Sequence, residues 1–133
     1  MASEPPTDLF DALKGHKYMS LTTFRRGGVP VVTPVWFAEQ DGRLYVTTSS
    51  TSGKVKRIRR DPIVTVAPCK PNGKLLGHPV PGKARILPPD EESLAERALS
   101  RKYRLEKGLM SVLRVVLRRK AEGENTFLEI RPV

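Results

Sequence analysis

The sequence predicts a mostly β domain, a closed antiparallel barrel of about six strands with flanking helices. Three observations carry this expectation. Short runs rich in Val, Thr, Tyr and Phe recur along the chain, with turn signals at Arg25-Arg26-Gly27-Gly28 and Gln40-Asp41-Gly42 between them. The helical patterns fall outside those runs, before, between or after them. Closure would also remove the edges that so much exposed Val and Thr would leave open to pairing.

Taken in order, Thr7 or Asp8 caps a short helix carrying Leu9, Phe10 and Leu13, which Gly15 stops. Lys17 to Phe24 reads as a strand, because Tyr18, Thr22, Thr23 and Phe24 favour the pleated surface. Val29 to Glu39 is a second strand, apolar almost throughout, and Arg43 to Ser49 a third. The hydroxyl-rich Ser49-Ser50-Thr51-Ser52-Gly53 leads into a basic helix from Lys54 to Arg60, ended by Asp61-Pro62. Ile63 to Pro68 and Pro79 to Leu87 are the fourth and fifth strands, separated by a loop containing Pro71-Asn72-Gly73. Asp90 is a candidate cap for a helix that turns Leu94, Ala98, Leu99 and Tyr103 inward, with Glu91 and Glu92 in its positive first turn. Leu109, Val112, Leu113, Val116 and Leu117 form the stripe of a further amphipathic helix, and Thr126 to Arg131 closes the sheet.

The 133 residues make one domain, 1–133, in which 1–16 is a lead with a short helix and 90–120 a helical excursion. Lys and Arg number 24 against 14 Asp and Glu, a net charge of +10 that favours anionic partners. The lone Cys69 excludes an internal disulfide, and His16, Cys69 and His78 match no zinc spacing. Cys69 reads as a small buried hydrophobe, and the two histidines as structural or exposed. The opening Met1-Ala2-Ser3-Glu4-Pro5-Pro6 has no secretory pattern and no apolar run approaches roughly 18 residues, so a cytoplasmic protein without a membrane role is expected. Nucleic acid is not expected as a partner. Aromatic residues are only 6% of the chain, and they sit in core-like strands instead of alternating with basic residues.

Two places could hold a ligand. At the first, the hydroxyls of residues 49–52, the free amides of a helix N-terminus and the charges of Lys54, Lys56 and Arg57 compose a phosphate cradle. The same pattern also fits a plain N-cap on a solvated basic helix, and Arg59, Arg60, Arg118, Arg119 and Lys120 read as solvent-facing. The second is Val32-Thr33-Pro34-Val35-Trp36-Phe37. Proline cannot donate to a ladder, so this strand either lies at an edge or has a planar ligand along its backbone. No nucleophile elbow, Walker loop or dinucleotide fingerprint is present, and no acid/base pair stands out, so an enzymatic role would rest on a cofactor.

The succession from Val29 to Phe37, then Leu44-Tyr45-Val46-Thr47-Thr48-Ser49, then Lys54 to Pro62 resembles the pyridoxamine 5′-phosphate oxidase-like (PPOX class) split β-barrel, an FMN-binding fold. Within it, Pro34-Val35-Trp36-Phe37 and the Lys54-to-Pro62 helix resemble the actinobacterial branch of reductases dependent on the deazaflavin coenzyme F420. The likeness runs from about Tyr18 to Leu87. It implies a homodimer with a cofactor at each subunit interface and hydride transfer to a small electron-poor substrate. Carried over residue by residue, Thr33, Pro34, Val35 and Trp36 would line the ring, Thr48 and Ser49 would flank it, and Lys54, Lys56 and Arg57 would bind the phosphate. Relatives often carry a basic residue where Ser52 stands. An FMN-dependent oxidase or reductase of the same fold, and a non-catalytic cofactor or nucleic-acid binder, are the alternative functions.

Overall fold

The computed structural model describes residues 11–105 and 125–133, with Arg114 and Arg118 between them. Seven antiparallel strands form one sheet: β1 (Tyr18–Phe24), β2 (Pro30–Trp36), β3 (Ala38–Gln40), β4 (Arg43–Ser49), β5 (Ile63–Cys69), β6 (Val80–Ile86) and β7 (Asn125–Pro132). Their spatial order is β2-β1-β5-β6-β7-β4-β3. Helix α1 spans Gly53–Arg60 and α2 spans Glu92–Leu105. The architecture is the mostly β split barrel with flanking helices that the family resemblance implies, with one strand more; the closed barrel read from the residues is not formed, because β2 and β3 stay unpaired to each other at the two ends of the sheet.

The extra strand comes from a break. The predicted second strand is two, because Phe37 interrupts it and turns its ring into the core at 1% exposure. Up to Trp36 the chain pairs with β1; from Ala38 it pairs with β4, at the opposite end of the sheet. The bend at Phe37 therefore carries the chain across the split and brings the two ends of the sheet together. Both hairpin turns form where glycine permits positive φ. Gly27 and Gly28 lie at φ 81° and 83° after β1, and Asp41 and Gly42 at 53° and 77° between β3 and β4.

Alternation along the strands divides the apolar residues into two cores. Met19, Leu21, Leu44, Val46, Val64, Val66, Leu128 and Ile130 fill the barrel. Ile58 of α1 and Leu13 of a short 3₁₀ turn (Asp11–Leu13) pack into the same core. The other side of β3, β4 and β7 offers Ala38, Tyr45 and Phe127 to Ala95, Ala98, Leu99 and Tyr103 of α2.

Two details of α2 differ from expectation. Leu94 is 44% exposed and Ala95 takes the inward position, because the helix begins at Glu92 and its buried face runs 95, 98, 99, 103. Asp90 caps nothing. Pro88 and Pro89 direct the chain into a 3₁₀ turn (Pro89–Glu91) with no side-chain cap, and the Glu91 carboxylate binds Arg85 instead. The predicted Leu109–Leu117 helix, Leu9, Phe10, Arg119 and Lys120 lie outside the described residues.

Candidate functional site

Helix α1 is short and strongly basic, and what fixes it is a pair of buried side chains, Val55 and Ile58, at i and i+3. Asp61 ends it, with the Asp61 amide donating to the Arg57 carbonyl and the Asp61 carboxylate accepting from the Ile63 amide. With Val55 and Ile58 turned inward, Lys54 and Arg57 stand on the side of the helix facing the ends of β1 and β4. Lys54 Nζ approaches Thr48 Oγ1 at 3.5 Å, and Thr48 in turn donates to Ser52 Oγ at 3.3 Å. Ser49 and Thr51 join hydroxyls at 3.0 Å in the same loop. Thr48 and Lys54 are thus brought together, while the Ser49 hydroxyl turns to Thr51. Lys56 is exposed and points away from Lys54.

Arg57 is the central side chain of this region. Its Nε donates to Thr23 Oγ1 at 2.6 Å, across 34 positions of sequence. Its guanidinium folds over Gly53, where an added Cβ would sit 2.7 Å from Nη1. Arg60, exposed as expected, donates from Nη2 to the Phe24 carbonyl at 2.5 Å. Burial, together with the charges of Arg25 and Arg60, lowers the pKa of Arg57. Among the described residues no carboxylate pairs with Arg25, Arg57 or Arg60. Thr23, Arg25 and Arg60 were not expected in the site. No local signal marks Thr23 or Arg25, because only the return of α1 against β1 brings them to Arg57.

The four expected ring-lining residues fall on two faces of β2. Thr33 and Val35 pair with Leu21 and Met19 and turn toward the barrel interior, the face that Thr48 also shares through Val46 and Leu44. Pro34 and Trp36 pair with Ser20 and Tyr18 on the outer face. Trp36 stacks obliquely on Tyr18, ring centroids 6.4 Å apart, and its buried indole N–H has no acceptor among the described residues. The strand carries Pro30 and Pro34 and is paired only to β1. β2 therefore takes the edge position, one of the two alternatives that the sequence leaves open.

A second polar cluster lies on the outer face of β4, β6 and β7. The Glu129 side chain is fully buried and accepts from Arg85 Nε at 3.0 Å, Arg131 Nε at 2.9 Å and the Tyr45 hydroxyl at 3.2 Å. Burial alone would raise its pKa; hydrogen bonds from Arg85 and Arg131, and their charges, bring it below the usual carboxylate range. Arg85 also holds Glu91 at 2.7 Å. His78 is exposed, His16 half-buried, and Cys69 is buried with its thiol pKa raised by that burial. Among the described residues no cluster of three or more His, Cys, Asp or Glu could hold a metal, and no helix is long and apolar enough to cross a membrane.

The sequence profile of the pyridoxamine 5′-phosphate oxidase family matches residues 6–131. The chain belongs to that family. Solved structures agree on the fold. A candidate pyridoxamine 5′-phosphate oxidase from Listeria innocua superposes with a TM-score of 0.61 at 22% identity, over 91% of this chain and 87% of its own. A FAD-binding protein from Mesorhizobium loti gives 0.60 at 21% identity, over 91% and 82%. The heme storage protein of Vibrio cholerae gives 0.61 at 13% identity, over 90% and 83%. Among curated proteins none matches by sequence. One barrel thus serves proteins with different ligands, and the particular site decides the chemistry.

Proposed function

We propose that the protein is a homodimeric oxidoreductase that binds coenzyme F420 at the α1 end of the barrel and reduces a small electron-poor substrate. The observation that carries this reading is the gathering of Arg25, Arg57 and Arg60, uncompensated by any carboxylate among the described residues, beside Lys54 and the hydroxyls of Thr48 and Ser49. Guanidiniums beside free helix amides suit a phosphate, and Arg57, although in the last turn of α1, reaches back over Gly53 at its start. When bound, the deazaflavin supplies hydride transfer at its ring carbon C5.

The chain's own part is binding and orientation. Lys54, Arg57 and the first amides of α1 hold the phosphate, with Ser49 as a further hydroxyl. Lys56 stands farther out, where only an extended anionic tail would meet it. Thr33 and Thr48 would offer polar groups to a ring, Val35 packs against the barrel core, and Pro34 keeps the β2 rim from recruiting another strand. No side chain is assigned as proton donor. Exposed Val29, Val32, Leu75 and Leu76 flank β2 and support a subunit contact there.

FMN is the competing ligand, favoured by the family itself and by the FAD-binding relative, since its phosphate asks for the same cradle. Titration with oxidised and reduced F420, FMN and hemin, each followed by its own absorbance or fluorescence, separates the readings. Micromolar or tighter binding of F420 with weaker FMN supports the reductase. The reverse order moves the protein to flavin chemistry, hemin alone to a storage role, and binding of none overturns the cradle. Light scattering of the loaded protein tests the dimer, and a monomer would contradict it.

A further inference from the structure

We infer that Thr23 is a positioning residue for the anion site, holding the Arg57 guanidinium over the first turn of α1 before any ligand arrives. This rests on the cradle reading above and adds the device that keeps its principal cation in place. Arg57 needs such a device. Arg25 and Arg60 both carry the same charge beside it, and with no carboxylate among the described residues to hold it, repulsion favours swinging the long side chain into water. What opposes this is the 2.6 Å bond from Nε to Thr23 Oγ1, on a side chain that is only 2% exposed and cannot move with it.

The geometry of that bond matters for recognition. Committing Nε to Thr23 leaves both terminal nitrogens, Nη1 and Nη2, directed over Gly53, the pair that binds a phosphate bidentately. Gly53 completes the arrangement by having no Cβ, since one would come 2.7 Å from Nη1. The obstructed atom is the tip of a flexible side chain, so alanine there would displace the guanidinium and leave the backbone in place. The rotameric freedom of Arg57 is surrendered on folding, and binding does not have to restrict it again.

The test uses full-length protein and two ligand pairs that differ in the phosphate: FMN against riboflavin, and F420 against its phosphate-free deazaflavin core. The wild type is expected to prefer the phosphorylated member of at least one pair. Thr23→Val should weaken that member about tenfold and leave the other unchanged, while Thr23→Ser restores the preference. Gly53→Ala should cause the same selective loss while raising thermal stability slightly, because alanine favours the helix. This pairing of weaker binding with a firmer fold is one that a merely structural role would not give. Retained preference in both Thr23→Val and Gly53→Ala would overturn the inference and leave the cradle standing. No preference in the wild type would instead overturn the cradle itself.

Discussion

Arg85 and Arg131 lean on the buried carboxylate of Glu129, and Arg85 also grips Glu91, whereas Arg25, Arg57 and Arg60 crowd the α1 end of the same barrel with no carboxylate among the described residues. In the first group each positive charge is balanced, and a buried group is fully hydrogen-bonded, so the cluster completes the fold. In the second, partial burial and the charges of Arg25 and Arg60 lower the pKa of Arg57, so its charge is held against its surroundings. Charge pairing thus separates the two groups of arginines more clearly than their number does, and the group without carboxylate partners among the described residues is the one proposed to take an anion.

The comparison can be broken most forcefully at Glu129. Glu129→Ala should cost about 2–3 kcal/mol, near the low end for a broken buried pair because half-exposed Arg85 and Arg131 can turn to water. Urea unfolding would measure it, and ligand affinity should not change. Arg57→Ala and Lys54→Ala should do the opposite, each weakening a phosphorylated cofactor at least tenfold, about 1.4 kcal/mol. Arg57→Ala should leave apo stability equal or higher. A large loss of stability with Arg57→Ala would erase the distinction between the groups.

A pH series sharpens it further. Glu129 and Glu91 both have folded pKa values below their unfolded ones, so their contribution is complete above the unfolded value of about 4.3 and is lost as pH falls through the folded values. Stability should hold level down to about pH 5 and decline below about 4.3, and Glu129→Gln should flatten that decline. The smallest effect belongs to Arg59→Ala. This exposed arginine lies in neither group, and the change should stay within about 0.5 kcal/mol in stability and twofold in affinity.

Much of this was legible along the chain because the informative signals are local. Alternation in Leu44-Tyr45-Val46, the Asp41-Gly42 turn and the Asp61-Pro62 stop each act over a few residues, and the elements appear where these signals fall. Likewise Thr48 and Lys54 are near neighbours in sequence, so their meeting at the start of α1 could be read directly. Phe37 could not. In an unbroken apolar run nothing marks where the chain leaves β1 for β4, since either partner satisfies the same alternation. Leu94 fared similarly, because the inward face of α2 depends on where the helix starts against the sheet.

By itself the sequence determined most of the strands and turns, the basic helix with its hydroxyl-rich approach, and the family, for all of these are carried by residues in local succession. Only the tertiary structure decided which arginines are balanced. Glu129 reaches Arg85 across 44 positions and Tyr45 across 84, and Thr23 meets Arg57 across 34. Electrostatic pairing depends on distances between side chains from separate strands, and those distances exist only once the sheet has assembled.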